Sequence, residues 1–217
     1  MKLLTAPMLA TLIVVSAVGL RPAAQDRAGA DCVTIGKPDP GREYAFTHVE
    51  STGKTTQTTQ RWETVTDTGS RVRTTGPAGV VIQVNEHRIV NDAMVLGRST
   101  KLDANGMQMD ATSFKPGLVG DPAFRACAGQ SWQIPPVTAQ YQSGSVRVSS
   151  ATPTGSLRIV ALREKITVPA GTFETVHYIR TSQSVDEYWK SLEHGVVVKH
   201  IAKVGGHVVT ETLTAIK

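Results

Sequence analysis

The sequence predicts an all-β protein: a curved antiparallel sheet, a half-barrel meander, preceded by an export signal. Three observations predict it. From residue 42 onward the chain is a series of short runs rich in Val, Thr and Ile, punctuated by Gly, Pro, Asn and Asp, which is the pattern of strands and turns. No long segment of the mature chain carries apolar residues at the spacing of an amphipathic helix. Successive runs are separated by short turns, and short turns select antiparallel pairing, because parallel strands need long crossovers. Aromatic residues make up only 5% of the 217 positions, which favours a thin, twisted sheet with one covered face.

The export signal comes first. Lys2 is followed by an apolar run from Met8 to Leu20, with no further charge before Arg21. The run is too short to cross about 30 Å of hydrocarbon as a helix and has the length of a signal-peptide h-region. Ala17-Val18-Gly19 and Ala28-Gly29-Ala30 both offer small-x-small cleavage sites. Residues 1–24 are therefore read as signal peptide, with cleavage between 19 and 30, and residues 31–217 as one antiparallel β domain. The expected location is periplasmic or secreted, with no transmembrane anchor once the signal is gone. Ala30-Asp31-Cys32 departs from the bacterial lipobox, which needs a small residue where Asp31 stands. Cys32 is instead expected to pair with Cys127, the other cysteine, since an exported chain meets an oxidising compartment.

In the first half, Arg42 to Glu50 and Thr55 to Val65 form a hairpin around Ser51-Thr52-Gly53-Lys54, and the Thr/Gln content of the second strand suits a solvated face. Arg71 to Thr75 follows, then a Gly76-Pro77-Ala78-Gly79 break and a strand from Val80 to Asn85. Ile89 to Leu96 reads equally as strand or helical turn. Arg98 to Leu102 enters Asp103-Ala104-Asn105-Gly106, whose Asn-Gly favours a positive-φ turn, and Met107 to Phe114 leaves it. Lys115 to Pro136, with its prolines and glycines, reads as a long ordered loop stapled through Cys127.

The second half is more regular. Ser145 to Ser150 and Leu157 to Val168 are strands, Pro169-Ala170-Gly171 a tight turn, and Thr172 to Thr181 the return. Val185 to Trp189, Val196 to Val204 and His207 to Thr214 complete the meander. Gly205-Gly206 acts as a two-residue turn. That turn fixes a register: Val204 opposite His207, Ala202 opposite Val209, His200 opposite Glu211.

Three fragments carry a family resemblance: Val168-Pro169-Ala170-Gly171-Thr172-Phe173, Glu187-Tyr188-Trp189 and Gly195-Val196-Val197-Val198-Lys199. Together they resemble a family of exported bacterial proteins of unknown function, with a VPAGTF turn, a YW strand and a GVVK strand. Gly41 to Glu50 and Gly129-Gln130-Ser131-Trp132 fit the pattern more loosely. The resemblance implies a fold similar to periplasmic lipoprotein carriers, a strongly curved sheet able to wrap an acyl chain. It implies no activity. The segment Lys190-Ser191-Leu192-Glu193-His194 departs from the family, which has a small residue and Pro there.

Chemistry-bearing motifs are weak. The formal charge is +5, but the basic residues are scattered without aromatic interleaving, so no nucleic-acid partner is expected. Gly53-Lys54-Thr55 ends like a P-loop, yet His48 stands where the first Gly belongs. Ser51-x-x-Lys54 has the Ser-Lys spacing of penicillin-recognising enzymes, but on a turn and without companion motifs. His177, His194, His200 and His207 cluster in sequence. The glycine turn nevertheless places His200 and His207 about 13 Å apart, at about 3.3 Å per residue, too far to share an ion. It also predicts a His200–Glu211 contact worth about 0.2–1 kcal/mol, strongest when His200 is protonated. No catalytic residue, metal ligand or cofactor is assigned.

The candidate binding residues are Trp132, Tyr188, Trp189 and His200, with Tyr188 and Trp189 pointing to opposite faces of one strand. The expected function is extracytoplasmic and non-catalytic. A lipid or other apolar small molecule, or an envelope protein, would bind in the hollow of the sheet, against Val, Ile, Leu and Met. Two alternatives stand beside it. One is an envelope hydrolase, with a carboxylate beside His177 or His200 in a cleft. The other is an interaction module using an exposed strand edge such as Val196 to Val198.

Overall fold

Alternation of apolar and polar residues along almost every run drives the chain into strands with one covered face. The computed structural model describes residues 31–204 and 206–217, so the signal-peptide reading and Gly205 lie outside the described residues. β1 (Cys32–Thr34) is followed by a first meander: β2 (Glu43–Glu50), β3 (Thr55–Val65), β4 (Gly69–Thr75), β5 (Val81–Val90), β6 (Ala93–Leu102) and β7 (Gln108–Pro122). A 3-10 turn at Pro77–Gly79 sits between β4 and β5. Then come β8 (Arg125–Cys127), β9 (Ser131–Ile134), β10 (Val137–Ser143) and β11 (Val146–Thr152). The second meander is β12 (Gly155–Val168), β13 (Gly171–Thr181), β14 (Val185–Ser191), β15 (Val197–Val204) and β16 (His207–Ile216).

Fourteen strands make one antiparallel sheet in the order β11-β10-β7-β6-β5-β4-β3-β2-β16-β15-β14-β13-β12-β9, and β1 pairs with β8 as a separate ribbon. The two meanders meet where β2 pairs with β16. From that seam the sheet curls until β7 approaches β9 and β12, without closing into a barrel. The two halves therefore face each other across an interior.

Two buried clusters fill much of that interior. One gathers Tyr44, Phe46, Trp62, Val72, Met94, Val198 and Leu213 around the β2–β16 seam. The other joins Ala93 and Val95 of β6 to Leu157, Ile159, Val176 and Tyr178 of β12 and β13 through Val33, Ile35 and Ala126. The β1–β8 ribbon is thus a plug in the opening between the sheet's halves. Cys32 and Cys127 stand directly opposite each other in it and are disulfide-bonded. After β1 the backbone crosses to the second half, where Gly36 N–H donates to Leu192 O at 2.7 Å. The crossing is tight: Gly195 has φ +62°, and a Cβ there would strike Gly36 O.

Most expected boundaries agree with these strands, and three expectations are corrected. Lys115 to Pro136 is not a loop. β7 continues to Pro122, and β8 and β9 lie in the remainder. The strand passes its proline by breaking register: Leu96 pairs with Leu118 but Arg98 with Ser113, leaving Pro116 in a bulge where no ladder N–H is needed. Ile89 to Leu96 is neither one strand nor a helical turn but a hairpin, with Asn91 and Asp92 at φ +51° and +59°. The apolar residues on both flanks hide that turn. Val196 to Val198 is not an edge either, because β15 lies between β14 and β16, and the sheet's free edges are β11 and β9.

The hairpin registers deduced for the last two strands hold. Val204 pairs with His207, Ala202 with Val209 and His200 with Glu211.

A candidate binding cavity inside the curled sheet

In the second half, one cross-strand row of side chains faces inward. Tyr178 of β13 pairs with Tyr188 of β14, Tyr188 with His200 of β15, His200 with Glu211 of β16, and Glu211 with His48 of β2. The three rings stack, with centroids 4.9 Å apart for Tyr178–Tyr188 and 4.2 Å for Tyr188–His200. Parallel stacking of neighbours in a row stands each ring off the sheet, so their polar tips reach inward. Glu211 Oε2 lies 3.1 Å from His48 Nδ1, and His48 Nε2 shares a 2.8 Å hydrogen bond with Thr58 Oγ1.

This row forms one wall of a cavity of about 290 Å³. The facing wall comes from Trp62, Val72, Asn85, His87, Met94 and Asp121 of the first half. Two ion pairs brace the lining. Arg180 Nη2 donates to Asp186 Oδ2 at 2.8 Å, and Asp186 also accepts from Ser184 Oγ at 3.0 Å and Tyr188 Oη at 3.4 Å. Lys190 Nζ, 1% exposed, donates across the interior to Asp121 Oδ2 at 2.5 Å and to Pro122 O at 2.7 Å.

Of the four candidate residues, the structure brings two together. Tyr188 and His200 stack on each other and line the cavity. Trp132 sits in the second apolar cluster and gives its indole N–H to Asn91 O at 2.8 Å. Trp189 points to the other face of β14 from Tyr188. There it stacks on His177 at 4.4 Å, donates to Glu164 Oε1 at 3.2 Å and lies under Lys199. His177 has Glu164 Oε2 3.1 Å from its Nδ1, beside Trp189 on that opposite face of the strand and not in the cavity lining.

The lining residues and their partners that sequence reasoning did not single out for a site are Asp121, Tyr178, Arg180, His48 and Glu211. The glycine-turn register did place Glu211 opposite His200. It does not reveal that Glu211 engages His48, because that contact depends on β2 pairing with β16 from the far end of the chain. Nor does His200 favour the protonated form in which that contact would be strongest. Burial pushes its pKa down to about 4, so it is neutral at pH 7.

Burial acts oppositely on Glu211, raising its pKa to about 7. Each shift is worth about 3 kcal/mol, at about 1.4 kcal/mol per tenfold change in proton affinity. Folded Glu211 holds its proton more tightly than the unfolded chain does, so its contribution declines as pH rises from about 4.5 to about 7. Folded His200 holds its proton more weakly, so its contribution declines as pH falls from about 6.5 to about 4. Between pH 4.5 and 6.5 the two slopes oppose each other, and His48 and His87, also lowered by burial, act in the direction of His200. Glu211→Gln is therefore expected to be more stable than the wild type at pH 8, by up to about 3 kcal/mol. It should then lose stability more steeply on acidification below pH 6.5. Urea midpoints measured from pH 4 to 8 check this; parallel profiles for the two proteins would remove Glu211 from the account.

No family model matches the chain, and no curated protein matches it. Two solved structures are similar in outline. One is a protein described as exported and of YmcC-like fold from Bacteroides fragilis NCTC 9343, at 12% identity and TM-score 0.49. The other, described as a lipoprotein, is from Parabacteroides distasonis ATCC 8503, at 12% identity and TM-score 0.48. Each comparison covers 86% of this chain and 100% of the other.

Proposed function

We propose that this is an exported binding protein whose ligand sits between the two halves of the curled sheet. The observation that carries the reading is the cavity: a half-open hollow at the small end of the ligand-pocket range, walled by strands from both halves of the chain. The leader segment and the Cys32–Cys127 disulfide support work in an oxidising compartment. The lining changes the class of ligand expected from sequence. Trp62, Val72, Val197 and Met94 share the lining with Asn85, His87, Asp121, Tyr178, Arg180, Tyr188, His200 and Glu211. Such a wall suits a small polar or amphipathic molecule better than an acyl chain, whose burial there would strand polar groups.

Native mass spectrometry of the protein exported by its own cell tests the reading. A small molecule is expected to remain bound, and to be lost from Thr74→Phe, which places a ring in the cavity wall. Each protein appearing at its own bare mass counts against ligand carriage. A second reading, an envelope hydrolase, draws on the 3.1 Å His48–Glu211 contact inside the cavity, since a carboxylate beside an imidazole is the arrangement general acid–base chemistry needs. Recovery of a cleaved product in place of an intact ligand would favour it.

A further inference from the structure

We propose that the cavity takes an uncharged, oxygen-rich molecule on the scale of a single sugar ring or a polyol. The proposal rests on the binding reading above and names its ligand class. It follows from which polar groups of the lining are engaged and which are not.

Each of the three carboxylates at the cavity has a partner. Asp186 takes hydrogen bonds from Arg180, Ser184 and Tyr188. Asp121 is held by Lys190, and Glu211 by His48. Four buried polar atoms of lining residues have no hydrogen-bond partner among the described residues: Trp62 Nε1, Tyr178 Oη, Arg180 Nε and His200 Nε2. Tyr178 is wholly buried. The indole and guanidinium nitrogens only donate, the phenol and the imidazole can do either, and none of the four only accepts. Buried polar groups are satisfied in the great majority of native proteins. A bound molecule rich in hydroxyl, ether or carbonyl oxygens would satisfy this set.

Charge narrows the class further. Arg180 is balanced by Asp186, and Lys190 by Asp121. Glu211 is left without a fixed countercharge. A bound anion would face three carboxylates against two cations, and desolvating it there is costly. A bound ammonium brings donors only, beside the Arg180 charge, and the open Trp62 and Arg180 nitrogens cannot accept from it. An uncharged oxygen-rich molecule meets neither penalty.

The test uses probes that share one ring and differ in charge: the neutral pyranoses D-glucose, D-galactose and D-mannose, the anion D-glucuronate and the cation D-glucosamine. Each is titrated calorimetrically into the full exported protein at pH 8. At least one neutral sugar is expected to bind about tenfold or more tightly than the charged probes. Trp62→Phe and Tyr178→Phe, which remove a donor and keep the ring, are each expected to weaken it roughly three- to tenfold, as loss of one hydrogen bond does. Tighter binding of glucuronate or glucosamine overturns the ligand class while leaving the cavity a binding site. No binding by any neutral probe also overturns it, and if native mass spectrometry shows no retained molecule either, the open donors are served by water and the binding reading fails as well.

Discussion

Replacing Cys32 and Cys127 by serine together is expected to lower the unfolding free energy by about 4 kcal/mol. The bond joins positions 95 residues apart. Opening a loop of that length restores about 4–5 kcal/mol of chain entropy to the unfolded state, within the roughly 2–5 kcal/mol seen when native disulfides are removed. The folded state is also affected. β1 is three residues long and its only strand pairing is to β8. Val33 and Ile35 ride on it into the cluster that joins β6 to β12 and β13. In the reduced protein that cluster is expected to be the first to open, with amide exchange rising at Ala93 and Val95 before the β2–β16 seam. Urea unfolding with and without dithiothreitol measures the effect. The wild-type midpoint should fall on reduction to that of the double serine variant, and the urea dependence should steepen because the freed chain exposes more surface. A wild-type curve indifferent to reductant would sink this account of the ribbon.

The same ribbon shows what a sequence can and cannot disclose. The pairing of Cys32 with Cys127 follows from compartment and count alone, and the antiparallel meander follows from turn chemistry. Asp103 to Gly106 forms the expected turn, with Asp103 Oδ1 accepting from the Asn105 and Met107 amides at 2.8 and 2.9 Å. The His200–Glu211 register was legible because two glycines fixed it locally. The Pro-rich stretch misled, since proline excludes a regular ladder position but not a bulge, and only the partner strand shows where the bulge falls. The cavity was less legible still. Tyr188 and His200 could be singled out as amphipathic side chains in strands, but Trp132 and Trp189 share those credentials and lie elsewhere. What separates them is the direction in which the sheet curls and the β2–β16 seam, both set by contacts between distant parts of the chain. For the same reason the hollow carries titratable and hydrogen-bonding groups although its strands are rich in Val and Ile. Apolar residues of the inner face pack into the two clusters, and the row from Tyr178 to His48 lies between strands that sequence alone does not bring together.

Lys190→Met is expected to cost about 3–5 kcal/mol, the range for removing one partner of a buried ion pair. β14 and β7 are not neighbours in the sheet, so the Lys190 bonds to Asp121 and Pro122 O span the interior and hold the two halves at a fixed separation. Methionine matches the length of the lysine stem and keeps the packing beside Val176 and Val197, its strand partners. What it lacks is the ammonium. Asp121, with only 20% of its side chain exposed, is then left as a carboxylate with no counterion, and the Pro122 carbonyl loses a donor. The loss should come from that stranded charge and not from the pair's own strength, because desolvation offsets most of the attraction between buried ions. Lys190→Met combined with Asp121→Leu separates the two. If the stranded carboxylate is the cause, the double variant recovers most of the single variant's loss, giving a coupling energy well above the roughly 0.5 kcal/mol at which independent sites add. If the double variant is as unstable as the single one, the cross-sheet bond itself sets the spacing of the halves. The cavity walled by Asp121 should then change shape in both variants, and native mass spectrometry of each would show its ligand lost.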